Sequence, residues 1–261
     1  MKNYSKLVII GAGNLAGHLA PALEDAGLMV AGVYSRRLAR AQQLADRLYG
    51  TPAQNHLDFS NSEAQLFIVA VADDAIEVVA QALLLPPGAT LVHTSGSQPL
   101  GALRRAATER TGVFYPLQTF SSARRITFRD VPICLESDDP EVLLRLTKLA
   151  RKLSQHVALV SSEERQVLHV AAVFANNFTN HLLGMAQALT EAHRVDFSLL
   201  HPLIEETVEK ALANGPVAAQ TGPAVRGDDT TIRRHLKQLR QFDPAYAKVY
   251  KAITQHIREN S

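Results

Sequence analysis

The chain has 261 residues, with 27 basic and 25 acidic side chains, 46% hydrophobic residues and a formal net charge of +2. This length allows two domains with separate cores, and the ordinary composition excludes a collagen-like, coiled-coil or wholly disordered chain. So small a net charge gives no sign of nucleic acid or a membrane surface as a partner.

Localisation is predicted from three features of the sequence. No apolar run reaches the roughly 18–20 residues that a membrane-spanning helix needs. The one cysteine, Cys134, cannot form an internal disulfide. The first strand signal follows the initial Met almost at once, which leaves no room for a signal peptide. We therefore expect a soluble, cytoplasmic protein.

Strand and helix signals alternate up to about residue 160. The predicted strands are 7–10, 28–34, 66–71, 89–93, 113–115 and 131–135. The predicted helices are 14–26, 36–48, 73–84 and 141–153. Regular alternation of this kind predicts an α/β domain with a parallel, doubly wound sheet.

After residue 160 the pattern becomes almost wholly helical. Segments with a 3.6-residue period are 163–192, 202–214, 230–241 and 244–258. The sequence thus predicts a dinucleotide-binding type of domain over residues 1–160 and an all-α domain over residues 161–261.

A glycine-rich turn joins the first predicted strand to the first helix. Gly11, Gly13 and Ala16 form a G-x-G-x-x-A pattern, in which the glycines allow a tight turn and a close approach to a diphosphate. The amides of Asn14 and Leu15 would meet the phosphates at the helix N-terminus. The alternative is a plain tight turn.

The end of the second predicted strand indicates which dinucleotide binds. An NAD site usually has an acidic residue here, whereas this chain has Ser35, Arg36 and Arg37, which suit a 2′-phosphate. We therefore predict NADP(H) rather than NAD(H). The alternative is that both arginines are solvated residues in the first turn of a helix.

Later strand ends extend the predicted site, because ligands of open α/β sheets bind beyond the carboxyl ends of the strands. Val71 and Asp73 follow one strand, and Asp73 would also cap the next helix. Thr94 and Ser95 follow another strand, where they could meet a nicotinamide ring. The neighbouring His93 is either part of this site or a hydrogen-bonded core histidine.

A polar stripe runs along the apolar segment 168–182. At about 100° per residue, His169, Asn176 and Asn180 fall on one line of an α-helix, and large apolar side chains face the other way. So apolar a helix is expected at the buried centre of its domain. Its polar line then needs a partner, which is a substrate, an internal hydrogen-bond network or a dimer seam.

Two further segments carry candidate ligand contacts. The Gly/Pro-rich loop 221–231 contains Arg226, which could hold a substrate carboxylate or pair with Asp228 or Asp229. The turn-like segment 115–122 offers Gln118 and Thr119. No metal site is predicted, since the ten histidines show no ligand spacing.

These motifs carry a resemblance to known families. Residues 10–17 resemble the cofactor turn of pyrroline-5-carboxylate reductase, and the helical half, with the pair Asn176–Asn177, is similar to the β-hydroxyacid dehydrogenase superfamily and its 6-phosphogluconate-dehydrogenase-like domain. The whole chain resembles bacterial Rossmann-like proteins with a C-terminal domain of unknown function, which are assigned as NADP oxidoreductases. His169, Asn177 and the loop 221–228 carry this last resemblance.

The resemblance implies a Rossmann-type domain, a helical domain that forms a homodimer, and an NADP(H)-dependent enzyme. It would reduce a C=O or C=N group of a small carboxylate-bearing substrate, of the ketopantoate or imino-acid type. His169 would act as the acid, Asn177 would orient the acceptor, and Thr221 and Arg226 would hold the carboxylate.

One departure keeps other functions open. β-Hydroxyacid dehydrogenases have a catalytic Lys four residues before the second Asn of the pair, where this chain has Val173. The alternative to an enzyme is therefore a non-catalytic NADP(H)-binding sensor or regulatory module. A third possibility is a reductase that exchanges hydride with a flavin or deazaflavin, cofactors that related folds serve.

Overall fold

A computed structural model of the chain describes residues 3–121, 124 and 126–260. Met1 and Ser261, the ends of the predicted domains, and Ser122, the end of the segment 115–122, lie outside the described residues. The chain divides into two compact units, Met1–Val173 and Phe174–Ser261. This division falls later than the predicted boundary at residue 160.

The first unit contains a mixed sheet that is mainly parallel. Its described strands are β1 (Lys6–Ile10), β2 (Met29–Tyr34), β3 (Ala53–Gln54), β4 (Leu66–Val69), β5 (Thr90–His93), β6 (Thr111–Pro116), β7 (Ile133–Glu136) and β8 (Val157–Leu159). Their order is β3-β2-β1-β4-β5-β6-β7-β8. Strands β1 to β6 pair in parallel, whereas β7 is antiparallel to β6 and parallel to β8. The predicted doubly wound sheet is confirmed, with two reversed strands at one edge.

Helices cover both faces of this sheet. They are α1 (Asn14–Asp25), α2 (Leu38–Ala45), α3 (Ile76–Ala82), α4 (Pro140–Leu153) and α5 (Ser162–Ala172). Alternate residues of β1 enter opposite cores: Leu7 and Ile9 pack with α1, α2 and α4, whereas Val8 and Ile10 pack with α3. This period of two, in strands buried on both faces, is what a doubly wound sheet requires.

The structure differs from the predicted elements at short or irregular segments. Strands β3 and β8 were not predicted, because two or three residues are too few to show a periodicity. The predicted helix 36–48 is shorter at both ends. The predicted helix 73–84 starts with a 3₁₀ turn, Asp73–Ala75, that has no side-chain cap, so the predicted capping by Asp73 is wrong.

The described residues of the second unit form helices and loops and contain no strand. A π-helical turn, Val173–Phe178, precedes the helices α6 (Thr179–Ala192), α7 (His201–Asn214), α8 (Pro216–Ala219), α9 (Asp229–Phe242) and α10 (Pro244–Glu259). Asp228 caps α9 by accepting a hydrogen bond from the Thr231 amide at 3.0 Å. None of the described helices is long and apolar enough to cross a membrane.

The predicted burial of the segment 168–182 is wrong. The side chains of Phe174, Phe178 and Leu182 are 64%, 47% and 40% exposed. An apolar helix is buried only where another element covers it, and the described chain does not cover this one.

Candidate functional site

The glycine-rich turn lies between β1 and α1, as predicted. Gly11 has φ +125°, and a Cβ atom there would lie 2.1 Å from the carbonyl oxygen of Ala70, so only glycine fits. Gly13 precedes the first residue of α1, and a Cβ atom there would meet nothing within 4 Å. The turn is therefore packed against the backbone that follows the neighbouring strand β4 on one side and is open on the other.

The open side of the turn faces a cleft of about 810 Å³. This volume is within the usual range for the pocket of a small molecule or cofactor. The cleft follows the carboxyl ends of β1, β2, β4, β5 and β6. Its lining includes most of the predicted residues: Gly11, Gly13, Asn14, Leu15, Ser35, Arg36, Val71, Asp73, Thr94, Ser95, Gln118 and His169.

Two predicted cofactor residues do not line this cleft. Ala16 is fully buried under the turn, which fits the small residue that the motif needs for close packing of helix and strand. Arg37 lines a separate depression of about 460 Å³ together with Ser35, Arg36 and Arg40.

The end of the cleft near α2 is strongly basic. Arg36 and Arg40 both line it, and both are exposed. Neither takes part in the ion pairs found among the described residues. Arg40 was not predicted; it lies in the first turn of α2, four residues after Arg36.

His93 is a core residue. It is fully buried, its Nδ1 accepts a hydrogen bond from the Ser95 amide at 3.2 Å, and its Nε2 lies 3.3 Å from the Pro99 carbonyl oxygen. Because Nδ1 accepts, Nε2 must carry the proton and donate to Pro99. Burial is the main cause that lowers the pKa of His93 to about 4, and the positive charge of Arg165 adds to it. The core alternative is therefore confirmed.

Asp73 lies in the cleft, where its carboxylate accepts a hydrogen bond from the Ser97 hydroxyl. The carbonyl oxygen of Ser97 in turn accepts a hydrogen bond from the Gln166 side chain of α5, at 3.0 Å. The loop after β5 is thus tied both to Asp73 and to α5.

A buried ion pair attaches α5 to the sheet. The Arg165 side chain is 1% exposed and pairs with the carboxylate of Glu136 on β7. Arg165 also donates to the Gln98 carbonyl oxygen at 2.6 Å, and the Ser162 hydroxyl accepts from the Leu100 amide at 3.0 Å. These contacts assign α5 to the first unit, which is why the division falls after Val173.

The attachment of α5 brings His169 to the cleft. His169 is half-buried, and its Nδ1 lies 3.3 Å from the hydroxyl oxygen of Tyr115 on β6. Tyr115 also lines the cleft but was not predicted as a site residue. Its position one residue before the end of a strand could have indicated it, since parallel strands end at the same edge of the sheet.

The remaining predicted residues lie in the second unit. Asn177 is exposed within the π-helical turn, whose i→i+5 bonding changes the rotation per residue, so the angles predicted from a continuous α-helix do not apply. Thr221 lines an apolar cavity of about 290 Å³ within this unit. Arg226 is exposed, and Asp229, its possible partner, pairs instead with Arg258.

Comparison with protein families gives two matches along the chain. Residues 2–118 match a Rossmann-like domain, and residues 131–257 match a domain of unknown function, DUF2520. A solved structure of a Bacteroides fragilis protein, provisionally described as an NADP oxidoreductase, has 38% identity and a TM-score of 0.90 and covers 98% of each chain. The chain belongs to the family of Rossmann-like proteins with a DUF2520 domain. A comparison with curated proteins found no match.

Two more distant structures share the fold of this DUF2520 protein. The pyrroline-5-carboxylate reductase of Streptococcus pyogenes has 13% identity and a TM-score of 0.63, and covers 99% of this chain and 100% of its own. The imine reductase of Streptomyces aurantiacus has 17% identity and a TM-score of 0.64, and the match covers 97% of this chain and 96% of the imine reductase.

The DUF2520 region does not coincide with the second structural unit. It starts at residue 131 and so includes β7, β8, α4 and α5 of the first unit. Glu136, Arg165 and His169 therefore belong to the DUF2520 sequence and, at the same time, to the unit that contains the glycine-rich turn.

Proposed function

We propose that this protein is an NADP(H)-dependent oxidoreductase that reduces a C=O or C=N group of a small carboxylate-bearing substrate. The observation that carries the proposal is that one cleft contains both the open side of the glycine-rich turn and an imidazole, that of His169. The assignment of the Bacteroides fragilis relative as an NADP oxidoreductase supports it.

The residues of the cleft fit NADP(H). The amides that follow Gly13 could hold the diphosphate, because no side chain crowds that side of the turn. Ser35, Arg36 and Arg40 could hold the 2′-phosphate, since they offer hydrogen bonds and positive charge without a carboxylate beside them.

The chemistry divides between the cofactor and the chain. When bound, NADPH would supply the hydride. His169 would give a proton to the oxygen or nitrogen of the reduced group, and its solvent-accessible position in the cleft allows a substrate atom to reach it. The roles of Asn177, Thr221 and Arg226, which lie in the second unit, stay predictions from the resemblance. That the substrate carries a carboxylate, and that it is of the ketopantoate or imino-acid type, stays a prediction from the resemblance.

A second candidate is a non-catalytic NADP(H)-binding regulatory module. The observation in its favour is Val173, an apolar residue at the position of the lysine of β-hydroxyacid dehydrogenases. This candidate predicts NADPH binding with no turnover of any substrate.

The first experiment tests catalysis by His169. The protein is incubated with NADPH and a panel of acceptors that includes ketopantoate, pyrroline carboxylate and succinic semialdehyde, and the loss of NADPH absorbance is followed. His169→Gln should lower kcat by roughly 10²–10⁴-fold, because it removes the proton donor, while the Kd for NADPH stays unchanged. The matched control is His56→Gln, an exposed histidine outside the cleft. Equal activity of His169→Gln and wild type would exclude this role.

The second experiment tests the 2′-phosphate contact. Arg36→Glu removes a donor and adds a negative charge, so the Kd for NADPH measured by calorimetry should rise on the order of tenfold or more, with little change for NADH. Lys148→Glu is the control, since it changes the net charge equally at an exposed position outside the cleft. An unchanged preference between the two cofactors would contradict the assignment.

A further inference from the structure

Tyr115 and His169 form a pair at the wall of the cleft. They come from different elements, β6 and α5, and their rings meet edge to face with centroids 6.3 Å apart. The Tyr115 hydroxyl oxygen lies 3.3 Å from Nδ1 of His169. Both residues line the cleft that contains the glycine-rich turn, so the pair can face a bound ligand.

The loop after β5 closes around this pair without space for a side chain. A Cβ atom at Gly96 would lie 2.6 Å from His169 Nδ1 and 2.8 Å from the Tyr115 hydroxyl oxygen. Real Cβ contacts are not that short, so the glycine lets the backbone of the loop pack directly against the paired atoms. The ring of His169 is thus confined on the side of its Nδ1 atom.

The two nitrogen atoms of His169 therefore have different surroundings. Nδ1 has the Tyr115 hydroxyl as its partner, and no hydrogen bond to Nε2 is found among the described residues. Because the ring lines the cleft, Nε2 is the nitrogen left for a ligand.

We propose that Tyr115 is a positioning residue for His169. Its hydroxyl group occupies Nδ1 of the imidazole, so Nε2 is the atom that donates a proton to the substrate. The proposal rests on the proposed function, since it concerns the same reduction. It adds a specific hydroxyl and a specific nitrogen atom to the site.

The proton balance follows from the pair. In the cationic ring, Nδ1–H donates to the Tyr115 oxygen and Nε2–H faces the cleft. Bound NADPH would supply hydride to the carbon of the C=O or C=N group, and the Nε2 proton would pass to its oxygen or nitrogen. The ring becomes neutral and keeps its other proton on Nδ1, still held by Tyr115.

Tyr115 itself keeps its proton throughout. Burial is the main cause that raises the pKa of its hydroxyl. Cys134 of β7 and Asp73 after β4 raise this pKa further, and Arg165 of α5 opposes them. A hydroxyl group that stays neutral can accept a hydrogen bond from Nδ1–H, and it does not compete with His169 as the proton donor to the substrate.

The first test reads the two ring nitrogens directly and needs no substrate. Histidines are labelled with ¹⁵N, and the His169 signals are identified by their loss in His169→Gln. In Tyr115→Phe the Nδ1 signal should shift while the Nε2 signal changes little, because only Nδ1 loses its partner. Tyr49→Phe, which removes the hydroxyl of an 87% exposed tyrosine, should change neither. An Nδ1 signal that is the same in Tyr115→Phe and wild type would overturn the proposal.

The reciprocal measurement does not depend on the folding of Tyr115→Phe. With tyrosines labelled at ¹³Cζ, His169→Gln should shift the Tyr115 signal relative to wild type. An unchanged signal would contradict the pair.

Kinetics then separates this inference from the proposed function. In an active protein, Tyr115→Phe should lower kcat roughly tenfold, the effect of one hydrogen bond to a charged group, with KM and the Kd for NADPH unchanged. An unchanged kcat would overturn the positioning role even if wild type is a reductase. If wild type reduces no substrate, the proposed function fails, whereas the spectra still decide whether Tyr115 holds Nδ1.

Discussion

The two glycines of the turn perform different tasks. Gly11 is required by the fold, because its positive φ and the Ala70 carbonyl oxygen leave no place for a side chain. Gly13 has free space at its Cβ position, so the fold alone does not require it. A bound diphosphate would explain this glycine, because a side chain at this position would keep the diphosphate away from the backbone.

Alanine substitution should separate these tasks. Gly11→Ala should lower the free energy of unfolding by more than about 2 kcal/mol, since the backbone must shift. Gly13→Ala should change it by less than about 1 kcal/mol, yet raise the Kd for NADPH at least tenfold, because the methyl group takes the space of the diphosphate. Urea unfolding and calorimetry measure the two quantities. Unchanged NADPH binding by Gly13→Ala would place the diphosphate elsewhere.

At the scale of residues, the sequence predicts what local motifs encode. The turn residues Gly11 and Gly13 and the ends of β4 and β5 could be located because each follows a recognisable strand. Tyr115 was not predicted, although its place near the end of β6 could have indicated it, because its contact with His169 depends on where the fold brings α5. His93 was left undecided for the same reason: only its burial and its contact with Pro99 identify it as a core residue.

At the scale of elements, α5 shows why the division between the two compact units falls after residue 160. Helical periodicity starts near residue 160, and an arginine in such a helix usually indicates a solvated face. Arg165 is instead buried, because Glu136 on β7 neutralises it and the Gln98 carbonyl oxygen accepts from it. A sequence pattern shows that a helix forms but not which core it joins.

Breaking this ion pair should therefore destabilise the first unit. Arg165→Met leaves Glu136 without its counter-charge and should lower the free energy of unfolding by about 3–5 kcal/mol. The double variant Arg165→Met/Glu136→Gln should lose less than the sum of the single variants. Arg105→Met is the control, because Arg105 and Glu77 form an exposed pair at 3.8 Å, and its effect should stay within about 0.5 kcal/mol. Urea unfolding of all four variants measures these energies. A loss below 1 kcal/mol for Arg165→Met would show that other contacts hold α5.

At the scale of the whole molecule, the two units differ in how much of a core they have. The first unit buries two large apolar clusters on the two faces of its sheet. In the second unit only Ile232 and Ala247 are buried among the described residues. The apolar segment 168–182 was predicted to be buried because periodicity indicates which face of a helix is apolar, but periodicity cannot tell whether the same chain or another one covers that face.

A second copy of the chain is the partner that we propose for these helices. Five helices with two buried residues do not make a stable core, and most oligomers of globular proteins are symmetric homo-oligomers in which one patch meets its own copy. The exposed apolar side chains include Leu203, Val208 and Leu212 of α7, which are 62%, 49% and 83% exposed. A homodimer through the helical unit would cover them.

Charge on this face should abolish the dimer. Val208 and Leu212 are four residues apart on one face of α7, so the double variant Val208→Glu/Leu212→Glu places two charges where apolar contacts are expected. Sedimentation equilibrium should give the mass of two chains for wild type and of one chain for this variant. Leu144→Glu, on α4 and 44% exposed, should remain a dimer because it lies in the first unit. A monomeric wild type, or a variant that still sediments as two chains, would show that the helices of the second unit are covered in another way.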